Sequence, residues 1–120
     1  MEKPITRQQH GAIDYAYSAA VAFLPELVNF KDNRTATTLC RTLAGGALLY
    51  SMLTKAEWGV AKIIPFKTHL AIDFTTSLFA LAAPWLLGFS SDAKARNAIL
   101  GVGLTGLTAS VLTQPDEMEL

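Results

Sequence analysis

Residues 97–113, NAILGVGLTGLTASVLT, carry no charged side chain and no polar stripe along any helical face. At about 1.5 Å of rise per residue, a helix of this length crosses most of the roughly 30 Å apolar thickness of a bilayer. A helix in an aqueous bundle sets polar residues opposite its apolar stripe, and this one does not. Gly101, Gly103 and Gly106 agree with a membrane setting. Each costs about 1 kcal/mol relative to alanine in an aqueous helix interior, whereas small residues in membrane helices let backbones approach. The run GVGLTG also fits the dinucleotide-binding pattern G-x-G-x-x-G, but no strand precedes it and no βαβ unit surrounds it, so helix packing is the expected role.

Three further apolar stretches of similar length accompany this one, at residues 10–30, 35–54 and 69–89, with the last running 95–113. Asp14, Glu26, Arg41 and Asp73 are the charged side chains well inside them; the others lie between, beside or at the edges. The first stretch is too long for a signal-peptide core and is interrupted by Asp14, so it is expected to stay as a membrane span. A chain of 120 residues makes one domain, and 51% hydrophobic against 17% charged residues excludes a disordered polymer. Ten basic residues balance ten acidic ones, which argues against nucleic acid as a partner. Cys40 is the sole cysteine, so neither an internal disulfide nor a thiolate zinc site is available. The expected fold is all-α: an integral membrane four-helix bundle built from two tandem-duplicated helical hairpins.

The duplication is read by sliding the chain along itself. A shift of 59 residues aligns 10–54 with 69–113 without a gap, with 13 of 45 positions identical, among them His10/His69, Asp14/Asp73, Ser18/Ser77, Pro25/Pro84, Ser51/Ser110 and Thr54/Thr113. Each copy holds two spans, so both enter the membrane from the same side, related by a pseudo-twofold along the membrane normal. Both termini and the 55–68 connection share that side. It carries Lys3, Arg7, Lys55, Lys62 and Lys67 against Lys31, Arg34, Lys94 and Arg96 on the other, a bias towards cytoplasmic termini. The connection KAEWGVAKIIPFKT mixes lysines with Trp58, Ile63, Ile64 and Phe66, a composition suited to lipid headgroups.

The segments HLAIDF at 69–74 and AAPWLLGF at 82–89, followed by Asn97 and Gly101, resemble the SPW-repeat family of small bacterial integral membrane proteins. YSMLT at 50–54 and IIPF at 63–66 extend the likeness over nearly the whole chain. The resemblance implies a four-span protein of the bacterial inner membrane with no defined biochemical role. Two departures stand out: Ala83 occupies the place of the naming serine, and the first copy reads Leu24-Pro25-Glu26. Both speak against catalysis by that tripeptide.

In both copies His and Asp stand at i and i+4, so His10 with Asp14, and His69 with Asp73, share helix faces. Counting back along the antiparallel partners brings Ser51, Thr54, Ser110 and Thr113 to about the same depth. One reading is a structural clamp, with each Asp near a helix start accepting hydrogen bonds from Ser and Thr across its hairpin. The others are a divalent metal site on His10, Asp14, His69 and Asp73, a proton relay, or paired imidazoles on a haem. Glu26 and Arg41 are expected to form an ion pair, because the matching positions in the second copy, Trp85 and Leu100, are both apolar. Arg41 as an anion-binding residue is the alternative. Ser18 and Ser77 lie about 12 Å along the helix from His10 and His69, too far for a nucleophile and its base. The expected role is non-enzymatic, structural or partner-related, with lipids and a membrane-protein partner or second copy as contacts.

Overall fold

The computed structural model describes residues 3–119. Four helices follow one another: α1 (Arg7–Leu27), α2 (Arg34–Met52), α3 (Phe66–Leu86) and α4 (Ala93–Leu112). No strand occurs among the described residues, only isolated bridges between Ile5 and Thr113 and between Thr54 and Ile64. α1 packs chiefly on α2 and α3 chiefly on α4, so the chain is two helical hairpins laid against each other.

The helix starts follow capping chemistry. Thr6 and Gln9 form a reciprocal capping box at α1, which lets helix begin at the polar run Arg7-Gln8-Gln9, ahead of the apolar stretch. Asn33 and Asp92 cap α2 and α4 by accepting from the Ala36 and Ala95 amides. α3 begins after Pro65 and has no local side-chain cap; the Glu117 carboxylate accepts from the Phe66 and Lys67 amides at 2.8 and 3.0 Å instead. The helix ends are matched as well. Asn29 and Gly88, 59 residues apart, both adopt positive φ, and the amides of Phe30 and Phe89 bond back to the Pro25 and Pro84 carbonyls in Schellman turns.

The pseudo-twofold has visible marks at both ends of the bundle. At one end the caps themselves meet, Asn33 Nδ2 donating to Asp92 Oδ2 at 2.9 Å. At the other end His10 and His69 stand edge to face, with ring centroids 5.3 Å apart. The two bridges are also copies of each other, which carries the symmetric unit five residues upstream of the expected repeat starts, to Ile5 and Ile64.

The interior is unusual in kind. His10, Asp14, Ser18, His69, Asp73 and Ser77 are buried, whereas Phe23 is 63%, Leu27 72%, Leu49 60% and Leu86 67% exposed. Between the polar end and the capped end runs an apolar core that includes Val21, Phe30, Leu39, Ala80, Phe89 and Ile99. Among the described helices, only α4 is by length and composition apolar enough to cross a membrane. Of the four spans expected from sequence, α4 is the one that meets this description. The reasons are local: α1 opens on Arg7-Gln8-Gln9-His10, α1 and α3 each contain His, Asp and Ser that lower their hydropathy while facing inward, and α2 carries Arg34, Thr35, Thr38, Arg41 and Thr42 on its exposed side.

Of the 55–68 connection, residues 55–65 form a compact loop and 66–68 are the first residues of α3. Leu53 O accepts from the Ile63 and Ile64 amides, and Met52 O from those of Val60 and Ala61, folding the loop over the end of α2. A Cβ on Gly59 would lie 1.8 Å from Thr54 O, so only glycine fits that turn. Trp58 sits on Gly11 of α1 and donates to Gln8 O, while Val60 and Ile63 stay exposed.

Candidate functional site

The centre is assembled by α1 and α3, whose starts lie side by side. His10 and Asp14 are one turn apart on α1, and His69 and Asp73 one turn apart on α3. The tighter bonds run between copies: His10 Nε2 to Asp73 Oδ2 is 2.8 Å and His69 Nε2 to Asp14 Oδ2 is 2.7 Å. The same-helix distances are 3.1 Å for His10–Asp14 and 3.2 Å for His69–Asp73. The four atoms thus alternate nitrogen and oxygen around a closed ring, all within 4.8 Å of one another.

The outer imidazole nitrogens are held by threonines. His10 Nδ1 lies 2.7 Å from Thr113 Oγ1, and His69 Nδ1 2.7 Å from Thr54 Oγ1. Each threonine hydroxyl also lies 2.5 Å from a carbonyl one turn back, Ala109 O and Tyr50 O respectively. A hydroxyl has one proton, and a carbonyl can only accept, so each threonine donates to the carbonyl and accepts from the Nδ1–H. Each Nε2 faces two carboxyl oxygens, an arrangement that suits a proton shared along each contact. Two imidazolium and two carboxylate groups, or two imidazoles and two carboxylic acids, both leave the buried group with no net charge.

Phe66, almost completely buried, stacks on His69 and meets His10 edge-on, closing the ring towards the chain termini. On the other side the two copies differ. The Tyr50 hydroxyl donates to Asp73 Oδ1, whereas the residue that matches Tyr50 in the second hairpin is Ala109. A cavity of about 40 Å³ lies on this side, lined by Asp14, Tyr17, Tyr50, Asp73, Ser77 and Ala109 among others. It holds a few waters at most. A macrocycle finds no space here, and both Nε2 atoms already abut carboxylates, so the centre as folded does not fit paired imidazoles on a haem. Its donor atoms are suited to a metal ion, and the same four residues also make ion pairs with one another.

Other expected residues are placed differently from the sequence reading. Thr54 and Thr113 reach the centre, but they hold histidines rather than aspartates. Ser51 Oγ is buried without a hydrogen-bond partner, and Ser110 Oγ donates to Leu107 O on its own helix, so neither serine belongs to the network. Asp14 and Asp73 are each the eighth residue of their helices, with no acidic residue in either first turn, so the helix dipole is not what favours them. Glu26 and Arg41 form a two-pronged pair, with Arg41 donating to Oε1 at 2.8 Å, to Oε2 at 2.7 Å and also to Ala22 O. Three of the five guanidinium donors are engaged in this way. Tyr50, Phe66 and Glu117 were not singled out as functional from sequence; the one sign of Tyr50 is its position one turn before Thr54 on the same face.

No family model, no curated protein and no solved structure matches this chain.

Proposed function

We propose that the chain is a four-span integral protein of the bacterial inner membrane, without enzymatic activity, in which a charge-neutral His/Asp/Thr group fastens two duplicated hairpins together. One observation carries this reading: the two His/Asp pairs and the serines and threonines nearest them lie inside the bundle, while many Phe, Leu and Trp side chains are exposed on its outside. In water such an outer surface is a large exposed apolar patch. In lipid it is the solvent-matched face, and buried charges facing a bundle interior and paired with one another are the expected arrangement. The resemblance to the SPW-repeat family supports the same reading, as does the small-residue contact between α3 and α4 at Gly103 and Gly106. The termini and the 55–68 loop lie on the cytoplasmic side, and the outer surface contacts lipids and a membrane-protein partner or second copy.

Membrane extraction tests the location. The chain is expected to stay with membranes through an alkaline wash and to leave only with detergent; release by the wash contradicts the reading. Thermal melting tests the fastening. Asp14→Asn with Asp73→Asn leaves two imidazoles without counter-charges and is expected to cost about 3 kcal/mol or more. An unchanged melting temperature would show that the group does not hold the hairpins together.

A further inference from the structure

We propose that the ring formed by His10, Asp14, His69 and Asp73 is a binding site for one divalent transition-metal ion of the zinc class. The proposal builds on the reading of this group as the junction between hairpins, and it concerns what occupies the junction.

The ring dimensions are those of a coordination sphere. Its four edges run 2.7–3.2 Å. A square with edges of about 3 Å has its centre about 2.1 Å from each corner, the bond length from zinc to imidazole nitrogen or carboxylate oxygen. Puckering the ring, so that its diagonals shorten and its edges lengthen to about 3.4 Å, converts the same four atoms to a tetrahedron at that bond length. The donor set, two neutral nitrogens and two anionic oxygens, suits borderline first-row ions and not the all-oxygen preference of calcium or magnesium.

The surroundings are those that orient metal ligands. A ligating imidazole is held in its tautomer by a hydrogen bond from its second nitrogen, and both histidines have that bond, Nδ1–H to a threonine hydroxyl itself tied to a backbone carbonyl. This pins each Nε2 toward the ring centre. Tyr50 holds the outer oxygen of Asp73 in the same way. The entry side is also built: Phe66 shuts one face, while the small cavity adjoins both carboxylates on the other.

Charge balances in the exchange. One dication enters, the two shared protons leave to solvent, the carboxylates are then ionised, and the group is neutral before and after. No oxidation or reduction takes place. Charge conservation matters here because a net charge in a low-dielectric interior carries a large penalty.

The test uses the full chain purified in detergent. Elemental analysis is expected to find one zinc per chain. After chelation, titration with cobalt(II) is expected to give visible d–d absorption bands that saturate at one equivalent and vanish on adding zinc. Asp73→Asn and His69→Gln are expected to lose the bands. Because those variants risk misfolding, Thr113→Val is the second arm: it touches no metal and is expected to weaken affinity roughly 10–100-fold while keeping the bands. Folded wild-type protein that takes up neither zinc nor cobalt overturns the proposal while leaving the hairpin fastening intact. Cobalt bands that persist in both ligand variants overturn it too. A chain that dissolves without detergent overturns the membrane reading alone, and the metal titration then decides this proposal by itself.

Discussion

Thr54 and Thr113 decide how the central histidines are used. Each hydroxyl is committed to a carbonyl, so each Nδ1 must donate and each Nε2 is left facing the ring. Replacing either threonine by valine keeps shape and strands a buried Nδ1–H; the expected cost is about 1–3 kcal/mol in detergent melting, with nearly equal effects at the two sites. Equal stability of wild type and variant would remove the threonines from the account. Glu26 and Arg41 make a second residue-level case, because the pair is on the outside of the bundle, with side chains 36% and 41% exposed. Arg41→Leu alone, which leaves Glu26 facing lipid unpaired, is expected to lower the melting temperature in bilayers. Combining it with Glu26→Trp, the residues of the second hairpin, is expected to restore it; a double variant worse than the single one would refute direct pairing. The His/Asp set was legible in the sequence because both copies repeat it at the same spacing. Tyr50 was not, since its counterpart is Ala109 and repetition gives no sign of it.

Among the elements, α4 shows how close packing selects glycine at two positions and not at a third. A Cβ on Gly103 would come 3.0 Å from Ser77 O and 2.8 Å from Leu81, and one on Gly106 would come 2.3 Å from Ser77 Oγ. Gly101 meets nothing within 4 Å. Gly106→Ala and Gly103→Ala are thus expected to prise α4 from α3 at a cost of about 1–3 kcal/mol each, while Gly101→Ala is neutral or stabilising. A uniform response across the three would contradict this packing. The start of α3 depends on Glu117. Burial opposes ionisation there, but the amides of Lys67 and Phe66 hold its carboxyl below the usual carboxylate range. A depressed carboxylate stabilises at pH above its unfolded value and ceases to do so as pH falls through its folded one. Protection of the Phe66 and Lys67 amides, measured relative to the intrinsic exchange rate at each pH, is therefore expected to be high at neutral pH and to fall below the usual carboxylate range. Glu117→Gln is expected to flatten that dependence; protection indifferent to both changes would mean that the tail does not cap the helix. Hairpin arrangement was legible from the repeat, whereas the true helix starts were not. Apolar stretches mark where side chains are buried, but the caps Thr6, with its partner Gln9, and Glu117 extend helix into polar sequence, the last from about fifty residues away.

For the whole molecule, the pseudo-twofold places several matched polar residues against each other, so that each arrives with its partner already present. His10 meets His69, Asp14 meets Asp73 across the ring, and Asn33 meets Asp92 at the far end. A duplicated hairpin thereby fills its own centre with a charge-balanced group and turns its apolar residues outward. The apolar stretches of the sequence suggest four spans, and α4 alone meets the length and hydropathy of a span among the described helices: inward-facing His, Asp and Ser lower the mean of α1 and α3, and exposed Arg34, Thr35, Thr38, Arg41 and Thr42 that of α2. The most direct measurement of the outer surface is electron paramagnetic resonance on a Cys40→Ala chain reconstituted in vesicles, with spin labels placed in turn at Phe23, Leu78, Leu104 and, as a loop control, Val60. The account expects the first three labels to be relaxed strongly by dissolved oxygen and weakly by a water-soluble nickel chelate, with the reverse at Val60. Strong relaxation by the chelate at Phe23, Leu78 and Leu104 would contradict it.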